Sequence, residues 1–192
     1  VVVGLGNPGE EYRATRHNAG FMALDTLAGR LSRFGGWKSA KGDVRGEGRA
    51  GRHTLLLVKP QRYMNRSGEA IRGLLTEGWI TPEILVVCDD VYLPLGAIRL
   101  RARGGSGGHQ GLESIRDATG TDEYPRLRIG VGPAPPSADL PEYVLDPFAE
   151  DERDRLTRAI EAAAGCAFDA GAEGLVKAMN RWNRFDVNST EE

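Results

Sequence analysis

Cysteine is scarce in this sequence: Cys88 and Cys166 are the only two in 192 residues. Two cysteines argue against a disulfide scaffold and fit a reducing, cytoplasmic setting. Long hydrophobic runs are absent too. No apolar stretch approaches the roughly 18 residues of a membrane helix, and the chain opens in a strand-like run rather than a signal peptide. Excess charge of either sign is missing, because 25 Lys and Arg against 27 Asp and Glu leave a net charge of -2. A polyanionic partner would have to be met by a local basic patch. There is no G-x-x-x-x-G-K-[ST] loop, which removes the P-loop signature of an NTPase. There is also no H-x-x-x-H pair, which removes a common close metal-ligand spacing.

What is present reads as one α/β domain spanning 1–186, with 187–192 a frayed tail. The length is enough for a single core, and strand-like and helix-like segments alternate without repeats or linkers. Val1 to Val3, Leu55 to Val58 and Ile84 to Cys88 are apolar runs of buried-strand type. "GDVRGEGRAGRHTLLLVKP" predicts a hairpin. Helices are expected from the stripe Phe21, Leu24, Ala28 and Leu31, over "SGEAIRGLLTEGW", after "GGSGGHQG", along "AEDERDRLTRAIEAAAGCAFDAG" and again after Gly174.

The opening stretch Gly4-Leu5-Gly6-Asn7-Pro8-Gly9 fits G-x-G-x-x-G literally. A dinucleotide turn, however, continues into an apolar helix whose N-terminus receives a pyrophosphate. Here Gly9 is followed by Glu10 and Glu11, whose charges repel one, and the apolar helix starts only near Ala19. Asp25, at about the spacing of a ribose ligand, falls inside that helix. The context is therefore wrong for a dinucleotide turn.

Each apolar run leads into unusual polar residues: Asn7, Tyr12 and His17 after the first; Lys59, Tyr63 and Asn65 after the second; Asp89 and Asp90 after the third. Ligands of α/β sheets sit beyond the carboxyl ends of parallel strands. If the three runs are parallel neighbours, Asn7, His17, Asn65 and Asp89 share one cleft, with His109 and Gln110 at its side. Asp89 beside His17 would orient the imidazole and stabilise the charge formed when it takes a proton. No serine or cysteine is placed as a nucleophile: Ser67 starts a helix, Ser106 lies in the glycine loop and Cys88 is a buried small hydrophobe. A base without a protein nucleophile points to activated water. The blander readings are Asn65 as a helix cap, Asp89 and Asp90 as turn residues, and His109 as a solvated loop residue. A metal site from His17, Asp89, Asp90 and His109 is the weaker alternative.

"GAIRLRAR" alternates Arg99, Arg101 and Arg103 with apolar residues, so a strand would gather three arginines on one face. Arg126 and Arg128 alternate on a later run, and the whole reads as a cationic stripe suited to phosphate oxygens. Tyr12 and Tyr63 could stack on a base. Residue chemistry alone thus reaches a hydrolase acting near nucleic acid.

Four ordered blocks go further: "VVGLGNPGEEYRATRHNAGF", "LVKPQRYMNRSGEA", "VVCDDVYLPLGAIRLRARGGSGGHQGLESI" and "RLRIGVG". Over nearly its whole length the chain resembles bacterial peptidyl-tRNA hydrolases. That resemblance implies a single α/β domain with a central mixed, largely parallel sheet flanked by helices, usually monomeric, without metal or nucleotide cofactor. It implies cleavage of the ester between a peptide and the tRNA 3′ end. It casts His17 as the base that activates water, Asp89 as its partner and Asn7 as the residue that distinguishes a blocked amino group from a free one. Asn65 is implied at the peptide or tRNA end, Tyr12 and Tyr63 at the tRNA, and Arg101 with Arg128 as a clamp for the tRNA 5′-phosphate. Two positions depart from the family pattern. "GGHQG" has Gln110 where the family commonly has asparagine, moving the amide about one methylene out, and Tyr92 stands where an acidic residue is common. The competing reading is the same fold acting as a non-catalytic RNA-binding or splicing partner. The intact His17, Asp89, Asn7 and Asn65 argue against it.

Overall fold

The computed structural model describes residues 1–183. The tail expected at 187–192 lies outside them. Seven strands run in chain order: β1 (Val2–Gly4), β2 (Lys38–Ala40), β3 (Asp43–Ala50), β4 (His53–Pro60), β5 (Leu85–Pro94), β6 (Ile98–Arg101) and β7 (Arg126–Gly132). The helices are α1 (Ala19–Arg30), α2 (Ser67–Thr76), α3 (Gln110–Thr119), α4 (Leu140–Leu145), α5 (Arg153–Glu173) and α6 (Leu175–Trp182).

One mixed sheet has the order β2-β3-β4-β1-β5-β7-β6. Its centre, β4-β1-β5-β7, is parallel. The predicted hairpin is β3–β4, and antiparallel β2 and β6 close the two edges. The middles of the central strands are largely apolar because helices cover both faces. Val2, Leu57, Leu85, Val87, Leu127 and Ile129 turn toward α1 and α5, whereas Val3, Val58, Val86 and Cys88 turn toward α2 and α3. No helix among the described residues is long and apolar enough to cross a membrane.

Because β1, β4 and β5 are parallel neighbours, their carboxyl ends open on the same edge. The sequence expectation for the arginine strand needs correction. β6 ends at Arg101, so Arg103 lies beyond it and pairs with Glu123. Antiparallel register sets Arg99 opposite Arg128 and Arg101 opposite Arg126. Arg126, however, is fully buried, donating to the carbonyls of Gly105 and Asp122 and lying 4.1 Å from the Tyr124 ring centre. It ties down the glycine loop and presents no charge to solvent.

Candidate active site

A cleft of about 430 Å³ opens at the strand ends, lined among others by Asn7, Tyr12, His17, Tyr63, Asn65, Asp89, Gln110 and Arg128. Eight of the nine site residues read from the sequence therefore line one cavity. Arg101 stands apart on β6, near Arg99 and Arg128. Burial, then the charges of these two neighbours, holds its guanidinium below the usual arginine range. Lys59, also at a strand end, turns away and pairs with Asp25.

His17 sits in a buried 3-10 turn, Arg16–Asn18, immediately before α1. Its Nδ1 lies 3.0 Å from both oxygens of Asp89. A carboxylate only accepts, so the bond assigns the proton to Nδ1 and leaves the Nε2 lone pair available. Burial by itself would push the Asp89 carboxyl up. The hydrogen bonds and favourable electrostatics of the two imidazoles, His109 and then His17, outweigh it and hold the group well below the usual carboxylate range. Asp89 is thus an anion at neutral pH. Cys88, next to it, is buried, which pushes its thiol up and away from nucleophilic use.

Asn7 is held from three directions. Its N–H donates to Asn18 Oδ1 at 2.8 Å, Asn18 Nδ2 donates back to its carbonyl at 3.0 Å, and its Oδ1 accepts the Met64 N–H at 2.7 Å. With Oδ1 spent, the side chain offers the cleft a donor, Nδ2. Tyr12 and Tyr63 meet edge to face with ring centres 6.3 Å apart, and Tyr63 is exposed. Arg128 reaches the cleft through an ion pair with Asp90 at 2.9 Å, while Asp90 also accepts the Tyr92 N–H.

His109, expected at the side of the cleft or else solvated in its loop, lies at the cleft, with its Nε2 3.0 Å from Asp89 Oδ1. Sequence reasoning missed other contributors. Asn18 stitches the opening loop to the histidine turn. Leu140, Pro141, Val144 and Leu145 of α4 supply an apolar wall. The signal for α4 was present in "SADLPEYVL", where Asp139 caps the helix by accepting the Glu142 N–H and Pro141 sits in its first turn.

Arg16 fastens that wall to the histidine turn. Its guanidinium donates to the carbonyls of Asp146 and Pro147 and to Glu152, and lies over both the Tyr143 and Phe148 rings. Arg16→Met, which keeps the stem but removes all the guanidinium donors, is expected to cost about 2 kcal/mol. Amide exchange should rise across residues 139–148, and unchanged exchange there would show that the segment is held by other contacts.

His17, Asp89 and His109 bring one ligating atom each within 4.8 Å of one another, the grouping a metal ion would use among the described residues. Those atoms are already hydrogen-bonded to each other, and Asp90, the fourth candidate, is engaged elsewhere. The arrangement is a hydrogen-bonded histidine–carboxylate pair facing a cleft with an amide donor, two aromatic rings and an arginine at its margin.

The family described as peptidyl-tRNA hydrolase matches residues 1–190. The peptidyl-tRNA hydrolase of Aquifex aeolicus is 45% identical over 188 residues, covering 97% of each chain. That of Desulforudis audaxviator is 44% identical over 196 residues, covering 100% of this chain and 98% of the other. The crystal structure of peptidyl-tRNA hydrolase from Acinetobacter baumannii superposes with a TM-score of 0.87 at 35% identity, covering 96% of this chain and 94% of that one. On sequence, fold and the cleft at its strand ends, this chain belongs to the peptidyl-tRNA hydrolase family.

Proposed function

We propose that this protein hydrolyses the ester joining a peptide, or an N-blocked aminoacyl group, to the 3′ end of tRNA, with water activated by His17. The observation that carries the reading is the His17 Nδ1–Asp89 contact, which leaves Nε2 as the base. In this scheme Nε2 takes a proton from water, and the oxygen attacks the ester carbonyl carbon. The bond from that carbon to the ribose oxygen then breaks, and the proton passes from His17 to the departing ribose oxygen. The products are a peptide carboxylic acid, which ionises, and a tRNA with its terminal hydroxyl restored. Asp89 stabilises the imidazolium while the proton is in transit.

Asn7 Nδ2 donates to a carbonyl of the acyl group. A blocked substrate offers an amide carbonyl nearby, whereas a free α-ammonium offers only donors. Asn65 and Gln110, both exposed at the cleft, contact the peptide or tRNA end. Tyr12 and Tyr63 stack on terminal nucleotides, and Arg101 with Arg128 receives the tRNA 5′-phosphate.

The test is cleavage of N-acetyl-aminoacyl-tRNA beside the same tRNA carrying a free amino acid, with and without EDTA. Cleavage of the blocked substrate alone, indifferent to EDTA, is expected. No cleavage by folded protein would favour the non-catalytic RNA-binding alternative, and loss on chelation would make the carboxylate a ligand. Asn7→Asp keeps an acceptor for the Met64 N–H but replaces the cleft donor by an anion. It should cut the preference for blocked over free substrate by about tenfold, the upper range of one hydrogen bond between neutral groups. An unchanged preference would remove Asn7 from that role.

A further inference from the structure

His109 makes more contacts than a loop residue needs. The glycine loop before it takes positive φ at Gly107 (60°) and Gly108 (81°), turning the chain back so that His109 becomes the N-cap of α3. Its Nδ1 accepts the N–H groups of Gly111 at 3.1 Å and Leu112 at 3.3 Å. An imidazole nitrogen that accepts carries no proton, so the proton resides on Nε2, which donates to Asp89 Oδ1 at 3.0 Å. The ring packs close to Gly111, where an added Cβ would meet its Cε1 at 3.0 Å, and the His17 ring centre lies 5.0 Å away.

We propose that His109 is a positioning residue for the reaction: a neutral imidazole, locked in one tautomer by the start of α3, that holds the Asp89 carboxylate in the orientation His17 requires. The proposal rests on the reading of His17 as the base. Asp89 Oδ1 is shared between the two histidines, while Oδ2 faces His17 alone. The bond from His109 therefore does two things. It stops the carboxylate from rotating, and it draws off part of the negative charge that would otherwise stabilise the His17 imidazolium. The other charged groups nearby are already paired: Asp90 with Arg128 on β5 and β7, and Arg16 with Glu152 beside the histidine turn. Glu113 on α3 accepts from the Ser106 hydroxyl.

Two substitutions separate the roles of the two ring nitrogens. In His109→Asn the side-chain oxygen replaces Nδ1 as the helix cap, but nothing reaches Asp89. In His109→Gln the amide nitrogen reaches the position of Nε2, but the cap is lost. His109→Asn is expected to lower kcat about tenfold with little change in KM, through loss of orientation. It should also move the acid limb of the kcat/KM profile up by about 0.5 pH unit, because Asp89 then favours protonated His17 more strongly. His109→Gln should restore the wild-type limb while lowering the melting temperature by about 3 °C through the lost cap. The proposal is overturned if His109→Asn keeps the wild-type limb and kcat, or if both variants lose activity only in step with stability. A measurement on the unsubstituted protein needs no variant to fold. Nitrogen-15 shifts of the His109 ring in the folded protein should show Nε2–H with an unprotonated Nδ1, and a neutral ring with its proton on Nδ1 overturns the lock. If His17→Ala retained activity while these shifts were as expected, the base assignment would fail and the His109 geometry would stand.

Discussion

Replacing His17 by alanine is expected to lower kcat for N-acetyl-aminoacyl-tRNA cleavage by about 10³-fold, with KM changed less than about threefold. General base catalysis contributes on the order of 10²–10⁴-fold, and a factor of about 10³ corresponds to about 4 kcal/mol of barrier. In the proposed scheme substrate binding draws on other groups, namely Asn7, the two tyrosines and the arginines, so the loss should fall on the chemical step. The fold should survive, because Asp89 keeps the His109 donor and the turn keeps its Asn18 and Arg16 contacts. The measurement is single-turnover cleavage alongside circular dichroism. Partial recovery on adding imidazole, which fits the space vacated, would place the lost function in the ring nitrogen. A variant retaining more than about a tenth of the wild-type rate would show that another group takes the proton.

The second large effect is on the scaffold. Gly20 lies just after His17, in the first turn of α1, where the helix rests directly on the sheet. A Cβ there would meet Leu5 O and Val87 O at 2.5 Å and Leu5 N at 2.6 Å. All three are backbone atoms, and two of them form the hydrogen bond from Leu5 N–H, just past β1, to Val87 O in β5. No side chain can rotate to make room, so Gly20→Ala must lift α1 or part the strands. The expected cost is about 3 kcal/mol, or about 9 °C in melting temperature for a chain of this size. His17 rides on the same segment and should move away from Asp89, so kcat should fall further than stability accounts for. Gly29→Ala, in the same helix with nothing within 4 Å of its Cβ, is the control that should not destabilise. Equal melting temperatures for the two variants would mean that the helix does not depend on this close approach.

Much of the site was legible because strand period and strand ends carry it. Apolar runs such as Ile84 to Cys88 announce strands covered on both faces, and the residues after such a run must sit at a sheet edge. Hence Asn7, His17, Asn65 and Asp89 could be brought together from the sequence once parallel pairing was supposed. The clamp of Arg101 with Arg128, and the roles of Tyr12 and Tyr63, came only through family resemblance, since an arginine on a strand or an exposed tyrosine has no single meaning.

Other features had no local signal. Arg126 follows the same alternation as Arg128, yet only Arg128 reaches the cleft. The difference is made by Gly105 and Asp122, whose carbonyls close over Arg126 from a loop and from the chain entering β7. His109 could be placed beside the cleft from the sequence, but nothing local shows that its Nε2 meets Asp89. An α/β domain, its buried strands and a histidine–carboxylate pair can all be read along the chain, because burial pattern and strand polarity are properties of short segments. Which charges stay free, which histidine carries its proton where, and how closely α1 can approach the sheet were settled by three-dimensional packing. Each of those depends on atoms from distant segments meeting within about 3 Å, the range over which hydrogen bonds and steric contact act.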